Sequence, residues 1–263
     1  MATELGCVGM AVADLDELLD LLARIADDAV LRGCADDLET FTWTDMSGAR
    51  LTVSGSDQRG IVDVTASCAG ETGARLAGVT ALTGAVVAAD LVDEDGSLAT
   101  RAACELLQAR FLTPGHASGR AAITALGTDV TVHEDACAFA RAPQSLLLPP
   151  DGAGPAGEST ARVGAESFFS YGLFADDAGT TGHGRLAGTV LHSGTRTNTL
   201  TGQSFHVVRV RSVGMTADLC LDLATHPRCP QPGNVVSGVV LLVASMDQLW
   251  PAATRGRRWW RRR

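Results

Sequence analysis

Arg185-Leu-Ala-Gly-Thr-Val-Leu-His-Ser-Gly, Arg196-Thr-Asn-Thr-Leu-Thr-Gly-Gln-Ser-Phe, His206-Val-Val-Arg-Val-Arg-Ser-Val-Gly, Met215-Thr-Ala-Asp-Leu-Cys-Leu and Pro232-Gly-Asn-Val-Val-Ser-Gly-Val-Val-Leu-Leu-Val succeed one another near the end of the chain. Each run is short and rich in Val, Leu and Thr. Gly, Asn-Thr, Thr-Gly and Pro-Gly stand between the runs, where a chain turns. The spacing predicts four or five strands forming a small antiparallel barrel or curled sheet, which we bound at residues 163–250.

Upstream, Ala178 to Gly184 is a Gly-rich loop, and Ala165 to Phe174 is the most aromatic stretch, with Phe168, Phe169, Tyr171 and Phe174. Residues 143–162 carry Pro143, Pro149, Pro150 and Pro155 with Gly152, Gly154 and Gly157 between them, a composition that predicts a surface linker.

Residues 1–142 mix both periodicities. Leu15, Leu18, Leu19, Leu22, Ile25 and Ala26 recur at helical spacing, with Asp14 as a cap, Glu17 three residues on, and Gly33 as a stop, so a helix is expected over 14–32. Cys7 to Ala13 reads as a strand before it. Leu38–Thr44 and Arg50–Ser54 alternate as a hairpin around Asp45-Met-Ser-Gly. Ile61–Ser67, Leu76–Leu82 and Ala85–Val92 read as strands, and Leu98–Leu112 fits either helix or strand. Arg120–Ala125 and Asp129–His133 read as a hairpin around Leu126-Gly-Thr, followed by a short helix over 134–141. The expected class is α+β: a βαββ-rich mixed domain followed by the small antiparallel barrel.

Hydrophobic residues make up 46% of the 263, enough for a large core, but aromatics only 5%, so that core must be built of Ala, Val and Leu. All 21 basic residues are Arg, which with heavy Ala and Gly use matches the bias of a high-GC genome. The net charge is −9, and six of the arginines lie in the last nine residues. The body is therefore strongly acidic and repels phosphate backbones. The first residues, Met1 to Gly6, lack a basic and apolar leader pattern, and no run of about 18 apolar residues predicts a spanning helix. Seven scattered Cys without a CxxC pair suit free thiols in a reducing cytoplasm, the expected compartment.

Cys7-Val-Gly-Met-Ala-Val-Ala-Asp-Leu-Asp and Asp45-Met-Ser-Gly-Ala-Arg-Leu-Thr-Val resemble the first βαββ module of the glyoxalase/vicinal-oxygen-chelate superfamily. The resemblance covers about a fifth of the chain and implies that fold. It places the family's metal-ligand positions on Cys7 and Thr52. Thr52 is a neutral hydroxyl where a carboxylate is usual, so the match argues against metal chemistry. Residues 185–245 resemble an OB-like barrel, and strings such as Arg-x-Asn-x-Leu-Thr-Gly-Gln-x-Phe are similar to those of uncharacterised actinobacterial proteins.

The candidate binding residues are Arg196, Asn198, Phe205, His206, Arg209 and Arg211. His206, Arg209 and Arg211 make an anion-binding strand face, or simply a solvated one; Asn198 opens a recognition loop, or simply a hairpin turn; Phe205 is the barrel's aromatic platform. No catalytic residue, metal or cofactor is expected. Cys220, His226 and Cys229 match no common zinc knuckle, and Asp93, Glu94 and Asp95 offer too few ligands for calcium. There is no GxSxG or P-loop string. The tail, with Arg257, Arg258, Trp259, Trp260 and Arg261, is either a solvated end or an electrostatic anchor for anionic lipid or nucleic acid. The expected function is binding or assembly through protein contacts, without catalysis. The alternatives are a single-stranded nucleic-acid binder using barrel and tail, and a glyoxalase-type enzyme.

Overall fold

The structure, a computed structural model, describes residues 2–113, 117–147, 161–173 and 180–251. Among the described residues, strands account for 55% and helices for 14%, which makes this a β-rich α+β chain with one sheet of four strands and one of nine.

The amino end departs from the expected βαββ order. Cys7 to Ala13 is not a strand: helix α1 (Ala2–Gly6) closes in a turn in which the Val8 and Met10 amides both donate to the Leu5 carbonyl, and Gly9 adopts a positive φ of 67°. The turn buries Cys7, Val8 and Met10. The side chain of Gln203 then satisfies both the N–H and the C=O of Ala11, a service that a neighbouring strand would otherwise provide.

Helix α2 (Leu15–Ile25) starts as its sequence dictates. The Asp14 carboxylate accepts from the Glu17 amide (2.9 Å) and Glu17 accepts from the Ala13 amide (2.7 Å), a capping-box-like pair that reaches one residue beyond the N-cap. It stops at Ile25 instead of Arg32. Asp27 and Asp28 follow, and carboxylates oppose the negative end of the helix dipole. Val30 and Leu31 then open strand β1 (Val30–Ala35). Gly33 is no helix stop; it lies in β1, where a Cβ would overlap Pro251. Asp36 and Asp37, both at positive φ (51° and 61°), turn β1 into β2 (Leu38–Thr44). Strands β3 (Ala49–Ser56) and β4 (Gly60–Cys68) complete an antiparallel meander in the order β1-β2-β3-β4.

The nine-stranded sheet contains β5 (Thr72–Thr83), β6 (Val86–Val92), β7 (Leu98–Leu106), β8 (Ala117–His133), β9 (Ser167–Ser170), β10 (His183–Thr197), β11 (Ser204–Ser212), β12 (Met215–Asp222) and β13 (Val235–Ser245). Its order is β11-β12-β8-β5-β6-β7-β13-β10-β9, with β11–β10, β12–β5 and β8–β13 also paired. Leu98–Leu106 is thus a strand, its Ala102, Cys104 and Leu106 turned into the core. The hairpin expected around Leu126-Gly-Thr is instead one 17-residue strand. Gly127 does not turn the chain: a Cβ there would press on Leu221, so the glycine lets β8 approach β12.

Strands from both sides of residues 143–162 share this sheet. β8 pairs with β13 along eleven residue pairs and runs parallel to β12. The carboxy-terminal strands are therefore not a sheet of their own. The reason lies in their two apolar faces. Val208 and Val210 of β11 enter the inner core, while Phe205 and Val207 pack outward against α1, α2 and the meander. Both faces need cover, and the amino-terminal strands supply it. Among the described residues the inner core is almost wholly aliphatic, with Phe168 its one aromatic ring. Helix α3 (Ala136–Arg141) follows β8, capped by Asp135. At the ends of the expected linker, Leu146 bridges Arg162, and Arg162 and Arg185 donate to the carbonyls of Ala142 and Leu146 (3.0 and 2.9 Å). Residues 148–160 lie outside the described ones.

Candidate functional site

The six residues expected to bind are mostly spent inside the fold. Phe205 is fully buried against the amino-terminal turn and offers no stacking platform. His206 is buried; its Nε2 donates to the His226 carbonyl, and its Nδ1 lies 2.9 Å from Thr195 Oγ1. Arg209 is buried and faces Asp218 at 3.1 Å, while it also donates to the Glu71 and Thr72 carbonyls and to Thr216 Oγ1. Arg211 reaches the surface but forks onto Glu166 through three contacts of 2.8–3.1 Å, which holds that carboxyl below its ordinary range. Arg196, partly exposed, donates to the Ser47 carbonyl. The tail residues Arg257, Arg258, Trp259, Trp260 and Arg261 lie outside the described residues.

The loop opened by Asn198 is a clasp. The Asn198 side chain accepts from the Leu200 and Thr201 amides and donates to the Val8 carbonyl; Thr201 Oγ1 donates to the Gly9 carbonyl at 2.6 Å. From the meander, Asp45 accepts from the Thr199 amide and hydroxyl, and these bonds, with those from Ser47, hold its carboxyl low against the opposing effect of burial. Asn198→Ala strips a fully buried amide from this clasp. We expect it to lower the unfolding free energy by about 1–3 kcal/mol, measured by urea titration. A loss below about 0.5 kcal/mol would show that the loop does not tie the two sheets.

The metal candidates also disperse. Cys220 is buried beside Cys68; the neighbouring Cys220 thiol, then Arg196, hold the Cys68 thiol below its ordinary range, while Cys68 and burial push Cys220 up. His226 donates from Nε2 to the Val130 carbonyl. Among the described residues no three His, Cys, Asp or Glu side chains converge on a metal position. Of the glyoxalase-like positions, Cys7 donates to the Gly127 carbonyl, and burial pushes its thiol up to about 12, far from a ligand thiolate.

Two features escaped the sequence reading. The first is a polar layer inside the protein. One face of the meander carries Thr40, Thr42, Thr52, Ser54, Thr65 and Ser67, all buried. The alternation Thr-Phe-Thr-Trp-Thr reads as a strand with a wet face. Residues from 105–112 and 247–251 come over it instead. Phe111 and Pro251 lie against Gly33, the Trp250 ring meets Phe111 at a tilt of 60° and carries the Arg32 guanidinium over its face, and Thr65 donates to Glu105 at 3.4 Å. Burial, then the nearby Asp63 charge, raise the Glu105 carboxyl to about 7. Asp63 is itself raised by burial, against the pull of Arg110. The hydroxyls of Thr52 and Ser67 have no partner among the described atoms, so each invites a bridging water.

The second is a groove of about 680 Å³ between α2 and the β3–β4 hairpin. Leu15, Leu18, Leu19 and Leu22 line one wall, and Ile61, Val62 and Val64 the other. Leu15 is 66% exposed, Leu19 44% and Val62 38%, so the apolar floor meets solvent. Among the described residues, Asp20, Asp57 and Asp63 line it with one cation, Arg59. The helical stripe of leucines was visible in the sequence, but its period does not tell the core-facing leucines from Leu15 and Leu19. Among the described residues no helix is long and apolar enough to cross a membrane. Comparison with protein-family profiles, with curated proteins and with solved structures finds no match to this chain.

Proposed function

We propose that this chain is a non-catalytic binding or assembly protein of the cytoplasm that acts through protein contacts, and that the α2–β4 groove is its contact surface. The nine-stranded sheet serves as scaffold; we read the circuit β10-β11-β12-β8-β13 as its curled, barrel-like part. The observation that carries the proposal is the groove itself. Three large apolar side chains open to water on one face, beside the β4 edge of the meander, form a patch that a soluble chain gains by covering. Acidic groups at its wall favour a basic, amphipathic segment of a partner.

The test is affinity capture from the native host with the intact chain and with Leu15→Arg/Leu19→Arg. Both positions are exposed, so melting temperature should move by less than about 2 °C, as for surface substitutions generally. Partners held by the intact chain and lost from the variant are the expected result. Identical capture by both would remove the groove from the proposal.

A further inference from the structure

The groove and the carboxy-terminal tail are complementary in a way that names an occupant within the chain. Downstream of Pro251 come twelve residues, with six Arg and two adjacent Trp. The groove offers apolar walls for indoles, three carboxylates against one guanidinium along its lining, and exposed Asp16 and Glu17 on the same helix. The distance suits an intramolecular contact. Pro251 packs against Gly33 of β1. Gly33 pairs with Thr40, Thr40 with Ser54, and Ser54 with Asp63, so one cross-strand row leads from the last described residue to the groove lining. Three strand spacings span roughly 14 Å, whereas twelve extended residues reach about 40 Å. Even a path around the sheet edge lies within that reach.

We propose that the Arg/Trp tail, residues 254–263, docks in the α2–β4 groove of its own chain and so competes with any partner that uses the groove. This rests on the groove being a protein-contact surface. Trp259 and Trp260 would cover Leu15, Leu19 and Val62, and the arginines would meet Asp20 and Asp57. Occupancy in cis makes the tail a regulator: a partner binds only as the tail leaves.

Trypsin reads the state of the tail directly, because its arginines are the cleavage sites. The intact full-length chain, Leu15→Arg/Leu19→Arg and Trp259→Ala/Trp260→Ala are compared by the rate of tail loss in intact-mass spectra. Circular dichroism verifies that all three fold. Cleavage should be slow in the intact chain and about tenfold faster in both variants, since the rate follows the released fraction. It should also accelerate in about 1 M NaCl, where screening shortens to ~3 Å, and be independent of protein concentration. Equal rates in all three proteins would overturn the proposal. Protection that fades on dilution would overturn it too, placing the tail in a second copy. So would binding of the full chain to phosphatidylserine–phosphatidylcholine vesicles as tight as that of a synthetic 254–263 peptide, because the tail would then be open. If the tail is unprotected while capture still depends on Leu15 and Leu19, this inference fails and the groove stands.

Discussion

Arg209→Met should lower the unfolding free energy by about 3–5 kcal/mol, the cost of leaving a buried carboxylate alone. Asp218 is only 8% exposed and its partner 6%, so water cannot replace the lost guanidinium. The arginine also holds the Glu71 and Thr72 carbonyls, which belong to the segment joining the two sheets. Gly70 and Gly73 let that segment lie close: a Cβ at Gly70 would overlap the Asp218 carboxylate, and one at Gly73 the Thr216 carbonyl. Arg209→Met/Asp218→Leu should recover much of the loss, because an apolar pair of similar size removes the uncompensated charge. Urea titrations of the single and double variants decide this. A double variant as unstable as the sum of its parts would mean that the arginine's carbonyl bonds, not its charge pairing, hold the site.

Glu105→Gln should stabilise the protein above neutral pH and leave it almost unchanged in acid. The carboxyl is raised to about 7 in the fold, from an ordinary value of 4.5. Between these values the folded state holds a proton that the unfolded state has released. Stability therefore falls as pH rises from about 4.5 to 7 and levels off beyond. Glutamine mimics the protonated acid and removes this slope. At pH 8 the gain should be on the order of 2 kcal/mol, reduced from the full shift because the side chain keeps some contact with solvent. Asp63, raised in the same direction, contributes a smaller slope of the same sign that survives the substitution. Parallel stability–pH curves for the two proteins, measured between about pH 5 and 8, would place the Glu105 carboxyl in bulk solvent and show that the segments over the meander do not bury it.

The polar layer and the groove show where strand and helix periods stop being informative. Thr40, Thr42, Thr52 and Ser54 alternate with Phe41, Trp43, Leu51 and Val53, and that pattern correctly set one face of the meander against the core. It implied that the other face was wet, because a pattern within one strand carries nothing about what a distant segment lays over it. Arg209 and Arg211 make the same point at closer range. They share a strand face two residues apart, yet one is buried on Asp218 and the other is exposed on Glu166.

Local chemistry alone determined the α2 capping pair at Asp14 and Glu17, the hairpin at Asp45-Met-Ser-Gly, the runs that became β10 to β13, and an aliphatic core with few rings. In each case the decisive interactions are between residues close in sequence, or depend only on composition. Tertiary structure alone decided that Cys7–Ala13 is a turn tied to Gln203, that β8 runs straight through Gly127, and that strands on either side of residues 143–162 form one sheet. Those outcomes rest on pairings more than a hundred residues apart, between β8 and β13 and between the Asn198 loop and Val8. Such pairings are selected by which apolar faces remain uncovered once the local elements exist, a property of the assembled surfaces and of no single stretch.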